Sequence, residues 1–166
     1  MDVSELYQRY AAGEKDFPGV DLSHADLNIA QVEDYEPSLN DLSGINLSGA
    51  NLERASINCV NLSGANLQSA NLAGASLYAM ALIGANLSDA ILDYADISAD
   101  LTDAIFRGAS LECTRIVRAD FTRTDFTGAY FLGVSGESPL EIWDTIMPDG
   151  KICNGNDDFW SHRDDK

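Results

Sequence analysis

The chain has little positive charge and no long apolar segment. Only 10 of its 166 residues are Lys or Arg, against 27 Asp or Glu, so its formal net charge is −17. Binding to phosphates requires Lys and Arg, so we expect no direct nucleic-acid partner. No apolar run approaches the roughly 20 residues that span a bilayer. The N-terminus also lacks the basic and apolar regions of a signal peptide. We therefore expect no membrane association and a cytoplasmic location.

Residues that usually carry catalysis or bind metals are scarce. The two histidines, His24 and His162, have no evident nucleophile beside them. The three cysteines are Cys59, Cys113 and Cys153, an odd number without the spacing of a metal site, and free thiols are the simplest interpretation. The sequence also contains neither a P-loop nor a dinucleotide-binding fingerprint. We therefore predict no catalytic residues, no metal and no cofactor, and expect that the protein is not an enzyme.

What the sequence does contain is one five-residue motif (a phrase, or pentad) repeated many times. A small residue is followed by Asn, Asp or Ser, then by Leu or Phe, then by two small or polar residues, as in Ala65-Asn66-Leu67 and Ala85-Asn86-Leu87. Five residues advance a helix by about 500°, so leucines at this spacing make no helical stripe. In a strand they would alternate between the two faces. The pattern is buried only if each phrase forms a short side and a corner, which predicts a solenoid with the leucines along a common axis.

These phrases resemble the loose motif A(D/N)LXX of the pentapeptide-repeat family, over most of residues 15–132. The resemblance implies an all-β solenoid, a right-handed quadrilateral parallel β-helix with four repeats per coil. Residues twenty apart should then stack at about 4.8 Å. The expected columns are Asn46, Asn66 and Asn86; Ser56, Ser76 and Asp96; Phe106 and Phe126; and Leu111 and Phe131. The segment 145–151 resembles the tail that follows the repeats in many cyanobacterial members.

We predict a single domain in three parts. Residues 1–14 are expected to form an N-terminal helical cap, residues 15–132 the β-helix, and residues 133–166 a C-terminal strand-turn-strand cap with an acidic tail. Within the β-helix, Tyr35 and Pro37 do not fit the repeat, so residues 31–39 are predicted to be irregular.

One other place departs from strict spacing. The central residues follow each other every five positions from Leu42 to Ile97, and the next is Leu101. Keeping the old register would bury Arg107 and Glu112, which is costly for unpaired charges. A one-residue phase slip is therefore predicted at residues 98–100.

The two caps are expected to cover the open ends of the solenoid. Ser4 is a candidate N-cap for a helix that Gly13 ends, with Leu6, Tyr7 and Tyr10 lying on the first coil. At the other end, Pro148-Asp149-Gly150 predicts a turn between two short strands, and Trp143 is expected to pack on the last coil.

These features favour a non-enzymatic scaffold or protein-protein interaction module with an unknown protein partner. Exposed apolar residues that cluster can mark such a surface. The candidate interaction residues are Glu33, Asp34, Tyr35, Glu36, Tyr78, Ile91 and Tyr94.

The resemblance also implies an alternative, because members linked to quinolone resistance are acidic rods that mimic DNA and bind gyrase. The net charge of −17 favours a DNA-mimic type binder of this kind. Four arginines between residues 107 and 123 interrupt the acidic surface and disfavour it. Pro139 and Pro148 likewise argue against the C-terminal helix through which those members dimerise.

Overall fold

A computed structural model of the chain describes residues 1–28, 40–137 and 140–155. These described residues contain one helix, α1 (Val3–Ala11), and six strands. The strands are β1 (Ser76–Ala81), β2 (Asp96–Asp100), β3 (Arg115–Val117), β4 (Ser135–Glu137), β5 (Thr145–Ile146) and β6 (Ile152–Cys153). Strands β1 to β4 form a parallel sheet in that order, and β5 pairs with β6 antiparallel.

Single parallel bridges continue the coil on all sides, so the chain is a four-sided β-helix. The bridges and strand pairs join residues at the second pentad position, the one before the central residue. These residues form four columns, which we number as faces 1 to 4. Face 1 contains Asp16, Asn46, Asn66, Asn86, Ile105, Asp125 and Ile146; face 2 contains Asp21, Asn51, Asn71, Ile91, Ser110 and Tyr130. Face 3 contains Asp26, Ser56, Ser76, Asp96, Arg115 and Ser135; face 4 contains Asp41, Asn61, Ala81, Asp100, Asp120 and Glu141. The predicted columns are confirmed.

Each pentad builds its corner in the same way. The N–H of Leu47 donates to the carbonyl of Asn66 in the next coil at 2.8 Å, and the N–H of Ala50 donates back to the carbonyl of Leu47 at 3.0 Å. The last residue of the pentad takes a left-handed backbone, as in Gly49 with φ +64°. Glycine adopts that conformation without steric cost, which explains the frequent Leu-Ser-Gly sequence.

The core is a continuous line of central residues flanked by small ones. Leu67 and Phe121 are buried, as the period-five prediction requires, and alanines such as Ala65 and Ala104 fill the narrow space beside them. From Leu101 to Phe131, four of the seven central residues are phenylalanines. The ring of Phe126 lies 5.0 Å from that of Phe106, 5.3 Å from that of Phe121 and 5.0 Å from that of Phe131, which are distances typical of favourable aromatic pairs.

Outward asparagines bond from coil to coil on faces 1, 2 and 4. The Asn66 amide donates to Asn46 Oδ1 at 3.1 Å, and the Asn46 amide donates to Asp16 Oδ1 at 3.1 Å. The ladders on faces 2 and 4 likewise begin at Asp21 and Asp41 in the first coil. A carboxylate suits this position because it accepts a hydrogen bond and needs no earlier coil to donate to.

The regular coil holds twenty residues, and the first coil holds ten more. Asp26 pairs with Ser56, whereas Asp41 pairs with Asn61, so the additional residues lie between Asp26 and Asp41. The predicted irregular segment 31–39 lies outside the described residues. At the ends of this insertion, the Asn40 amide donates to Asn28 Oδ1 at 2.9 Å.

The β1–β2 pairing loses one residue at a bulge between Tyr78 and Met80. Tyr78 pairs with Ser98, and Met80 pairs with Ala99, which coincides with the shortened step in the leucine spacing. β1 keeps a left-handed corner residue, Ala79 with φ +53°, whereas β2 passes the same corner without a residue of positive φ.

The helix covers the N-terminal end. Leu6 is fully buried, and the Tyr7 and Tyr10 hydroxyls donate to the carbonyls of Leu27 and Ser43 at 2.9 and 2.7 Å. Burial, with Asp41 and Asp26 nearby, raises the pKa of Tyr7 above its ordinary value. The predicted N-cap was wrong: Asp2, not Ser4, caps the helix, because its carboxylate accepts the N–H of Glu5 at 2.8 Å.

The coil bonding continues beyond residue 132. The N–H of Phe121 donates to Glu141, and that of Phe126 donates to Ile146. These pairs contain one residue more per coil than those before them, which hides the repeat in the sequence. The antiparallel pair β5–β6 then closes this end, with Cys153 buried. The expected packing of Trp143 was wrong: its side chain is 58% exposed, because it follows the central residue Ile142 and points outward.

No helix among the described residues has the length and apolar character needed to cross a bilayer.

Candidate interaction surface

The predicted interaction residues fall on different parts of the rod. Tyr78 lies in β1 on face 3, and Ile91 lies on face 2. Tyr94 occupies the corner between these faces, with φ +61°. Residues 33–36 lie outside the described part of the chain. The structure therefore separates the candidates into two surfaces, and their role in binding stays a prediction.

The first surface, which we call the aromatic edge, has exposed apolar residues on two coils. These residues are Ile91, Tyr94, Tyr130 and Leu132. The coil between them contributes Ser110, Glu112 and Cys113. Ile91 and Tyr130 belong to the same column, with Ser110 bridging to both. At the adjoining corner, the N–H of Tyr94 donates to Glu112, and the N–H of Cys113 donates to Leu132. Tyr94 and Tyr130 are 66% and 60% exposed, so the aromatic edge presents large side chains to solvent.

Acidic residues lie within the aromatic edge. Asp93 Oδ1 accepts the Ser110 hydroxyl at 2.5 Å and the N–H of Glu112 at 3.0 Å, which fixes the corner. The neighbouring Cys113 and Glu112 raise the pKa of Tyr94 above its ordinary value, so its hydroxyl is protonated at neutral pH. The edge therefore combines neutral aromatic rings with negative charge.

The second surface is a hollow of about 370 Å³ on the outside of the parallel sheet, which we call the sheet depression. It is lined by Asn58, Ser76, Tyr78, Asp96, Ile97, Ser98, Arg115 and Val117. The serines are small, so the hollow forms between the larger Tyr78 and Val117 on one side and the Asp96–Arg115 pair on the other. Asn58 Oδ1 accepts both the Ser76 hydroxyl at 2.8 Å and the N–H of Tyr78 at 2.9 Å, which fixes the position of the Tyr78 backbone.

The two charges of the sheet depression contact each other only loosely. Arg115 Nη1 lies 3.8 Å from Asp96 Oδ1, and the two side chains are 59% and 64% exposed. In the described part of the chain, this is the only polar contact of the Asp96 carboxylate. By contrast, the carboxylates of Asp100 and Asp120 accept the N–H two residues further on, because there the chain turns instead of continuing as a strand.

Two other ion pairs are tighter and link successive coils. Arg123 donates two hydrogen bonds of 2.6 Å to Asp103, which lowers the pKa of that carboxyl. Arg107 Nε donates to Asp125 at 2.7 Å. The pKa of Asp125 is also lowered, since hydrogen bonds from Thr127 and Arg107 outweigh the opposing effect of burial. These pairs link successive coils.

The described residues show no arrangement of His, Cys, Asp and Glu side chains that could hold a metal ion. His24 is exposed at a corner with φ +58°, and the Cys113 thiol is exposed while that of Cys59 is half-buried.

The predicted interaction residues did not include Tyr130 or Leu132, which belong to the aromatic edge, and the hollow beside Tyr78 was not predicted. Leu132 directly follows the central residue Phe131, so its position in the pentad indicates that it points outward. The hollow had no comparable signal, because it depends on how side chains from successive coils stack on face 3.

Comparisons with known proteins agree with this architecture. The family model "Pentapeptide repeats (8 copies)" matches residues 41–72, 70–108 and 97–128, which together exceed half of the chain. A pentapeptide repeat protein from the Arabidopsis thaliana thylakoid lumen is 36% identical, with a TM-score of 0.56 over 60% of this chain and 72% of that one. No functionally curated protein gives a significant match.

Two further solved structures are more distant in sequence. A trypsin-treated form of QnrB1, a plasmid-mediated fluoroquinolone resistance protein, is 20% identical, with a TM-score of 0.61 over 76% of this chain and 62% of that one. The pentapeptide repeat protein Rfr23 from the cyanobacterium Cyanothece 51142 is 21% identical over 85% of this chain and 99% of that one, with a TM-score of 0.42. The chain is a right-handed β-helix and belongs to the pentapeptide-repeat family.

Proposed function

We propose that the protein is a non-catalytic scaffold that binds a protein partner through the aromatic edge. The observation that carries the proposal is the exposure of Ile91, Tyr94, Tyr130 and Leu132 along one side of a rigid rod. Tyrosine is enriched at the centres of protein interfaces, where its ring supplies contact area at a low cost in conformational entropy. The cytoplasmic location inferred from the N-terminus stays a prediction.

The rigidity of the scaffold supports this role. Each residue of the aromatic edge has a backbone hydrogen bond to a neighbouring coil, such as those between Tyr94 and Glu112 and between Cys113 and Leu132. A preformed surface loses little entropy when a partner binds. A rigid surface therefore supplies more net affinity than a mobile surface of the same size.

A capture experiment from native lysate of the source organism tests the proposal. The tagged protein is compared with a double variant, Ile91→Ser with Tyr130→Ser, and partners are identified by mass spectrometry. We expect at least one protein that the wild type retains and the double variant loses. Ile83→Ser is a matched control, since Ile83 is similarly exposed but lies away from the aromatic edge. If every captured protein also binds the double variant, the proposal is wrong.

A second candidate is the DNA-mimic type binder of a DNA-handling enzyme such as gyrase. The observation in its favour is a column of acids on face 4, where Asp100, Asp120 and Glu141 follow one another in successive coils. The likeness to QnrB1 supports the shared fold and carries no more than that at 20% identity. A gyrase supercoiling assay tests this candidate: inhibition that disappears with Asp100→Asn and Asp120→Asn together would support it, and unchanged supercoiling in excess protein would exclude it.

A further inference from the structure

We propose that the sheet depression binds a free α-amino acid with an apolar side chain, in its zwitterionic form. This site is separate from the aromatic edge, so the inference goes beyond the scaffold function and does not depend on it. It rests on the shape of the hollow, on the loosely paired charges of Asp96 and Arg115, and on the apolar wall that faces them.

The hollow has the size of a small-ligand site. Its volume of about 370 Å³ lies within the range of roughly 300–1,000 Å³ that is typical of ligand pockets. Such sites combine apolar walls with a few polar groups that fix orientation. Here the small side chains of Ser76 and Ser98 leave the space open, while Tyr78 and Val117 form the apolar wall.

The charged groups match both charges of an α-amino acid. Asp96 Oδ1 and Arg115 Nη1 are 3.8 Å apart and mostly exposed, so their own attraction is weak and readily replaced. In an α-amino acid the ammonium and carboxylate groups are attached to the same carbon and are separated by a similarly short distance. The ammonium can therefore face Asp96 while the carboxylate faces the planar guanidinium of Arg115, which binds carboxylates well.

Charge also selects against simpler ions. The chain has a net charge of −17, which repels an anion approaching Arg115 alone. A cation approaching Asp96 meets the adjacent positive charge of Arg115. A zwitterion avoids both penalties because it has no net charge and satisfies each side chain with the opposite sign.

The apolar wall favours ligands with an apolar side chain. Tyr78 is 56% exposed, so its ring is available for contact. The backbone N–H of Tyr78 donates to Asn58 Oδ1, which fixes the position of the Tyr78 backbone in the apolar wall. An aromatic ligand side chain would bury part of the Tyr78 ring and remove apolar surface from water, which stabilises the complex.

The first test is an NMR titration of the isotope-labelled full chain with L-phenylalanine as the probe. We expect saturable shifts of the backbone amides of Tyr78, Asp96, Ser98 and Arg115. Two analogues check the charge requirement: 3-phenylpropionate lacks the ammonium group, and 2-phenylethylamine lacks the carboxylate. Each should bind at least tenfold more weakly. Equal binding of all three compounds, shifts confined to other faces, or no shift at millimolar probe would each overturn the proposal.

Variants provide the second test. Asp96→Asn and Arg115→Gln should each lower the affinity for L-phenylalanine at least tenfold. Asn is already present at the same pentad position in Asn66 and Asn86, so the first change suits the fold. Arg123→Gln is the matched control, because it removes an exposed ion pair with Asp103 and leaves the sheet depression intact. Retained affinity in both test variants would contradict the proposal, whereas capture through the aromatic edge should be unaffected in every variant.

Discussion

The earlier and later coils of this rod share the same backbone hydrogen bonding, but the side chains that link neighbouring coils differ in chemistry. Between residues 41 and 92 the central residues are aliphatic and the outward columns carry asparagines that bond amide to amide. From Leu101 to Phe131 the core contains four phenylalanines, and Arg107 and Arg123 bond to carboxylates in neighbouring coils. We call these parts the leucine coils and the phenylalanine coils. Their difference shows that the fold needs the period of five and a small residue two positions before each central residue, which we call the narrow slot. It tolerates either neutral or charged links between coils.

The largest expected effect compares the cores of the phenylalanine coils and the leucine coils. Phe126→Ala should lower the free energy of unfolding by about 4 kcal/mol, and Leu67→Ala by about 3 kcal/mol, because each leaves a cavity and the larger ring leaves the larger one. Phe126 also loses three ring contacts at 5.0 to 5.3 Å. Urea unfolding followed by circular dichroism measures both values. A loss for Leu67→Ala that equals or exceeds that of Phe126→Ala would contradict the expected difference.

The second prediction concerns the narrow slot, which holds alanine in most leucine coils and threonine at three later positions. The Thr124 hydroxyl is buried and donates to the carbonyl of Leu101 at 2.9 Å. Thr124→Val keeps the shape and removes this bond, so the free energy of unfolding should fall by about 1 kcal/mol. Thr122→Val is the control, since Thr122 is half-buried at an outward position and should change the result by only a few tenths of a kcal/mol. Equal losses in both variants would show that the buried hydroxyl contributes nothing specific.

A third prediction separates the two kinds of link by pH. The Arg123 bonds lower the pKa of Asp103 in the folded protein, so this carboxylate stabilises the fold fully above its unfolded value of about 3.9. That contribution is lost as the pH falls from there through the lowered folded value. Asp103→Asn should therefore reduce stability at neutral pH and show a smaller further loss in acid.

The control for that experiment lies in the leucine coils. Asn66 is an amide that does not titrate, so Asn66→Ala should lower stability by the same amount at neutral and acidic pH. The measurement is the free energy of unfolding at several pH values between about 7 and about 2.5, which bracket the aspartate pKa range. Identical acid sensitivity of wild type and Asp103→Asn would remove the distinction.

The smallest expected effect is at the corners. Arg54 and Arg123 both have left-handed backbones, with φ of +55° and +56°. Arg54→Gly relieves a conformation that costs a non-glycine residue about 1–2 kcal/mol, offset in part by the greater entropy of unfolded glycine, so stability should rise by a few tenths of a kcal/mol. Arg123→Gly should show no such gain, because it also removes the bonds to Asp103. Thermal unfolding of both variants checks the difference.

Much of the fold follows from local spacing. A period of five with one apolar and one small residue has few ways to be buried, so the burial of Leu67 and Phe121 was predictable before any coordinates. The stacking of Asn46 on Asn66 and of Phe106 on Phe126 also required four repeats per coil. The number of sides came from resemblance to the family, since the period alone is compatible with other coils.

What could not be predicted depends on choices between similar residues or on long-range alignment. Asp2 and Ser4 are both good N-caps, and which one is used depends on how the helix meets the first coil. The ten-residue insertion in the first coil preserves the period of five, so the spacing alone hides it. The separation of Tyr78 from Tyr94 required the coil geometry, because both are simply outward residues in the sequence.

The aspartates of the first coil also set a limit on assembly. The carboxylates of Asp16, Asp21 and Asp41 each accept a hydrogen bond from an asparagine amide of the next coil. A carboxylate has no N–H to donate to a further coil. In a supramolecular polymer, such a monomer is a chain stopper: it completes one hydrogen-bonded stack and cannot start another. Three like charges around one rim also repel a second rim of the same kind, so the amide columns that strengthen a single molecule do not lead it toward fibre growth.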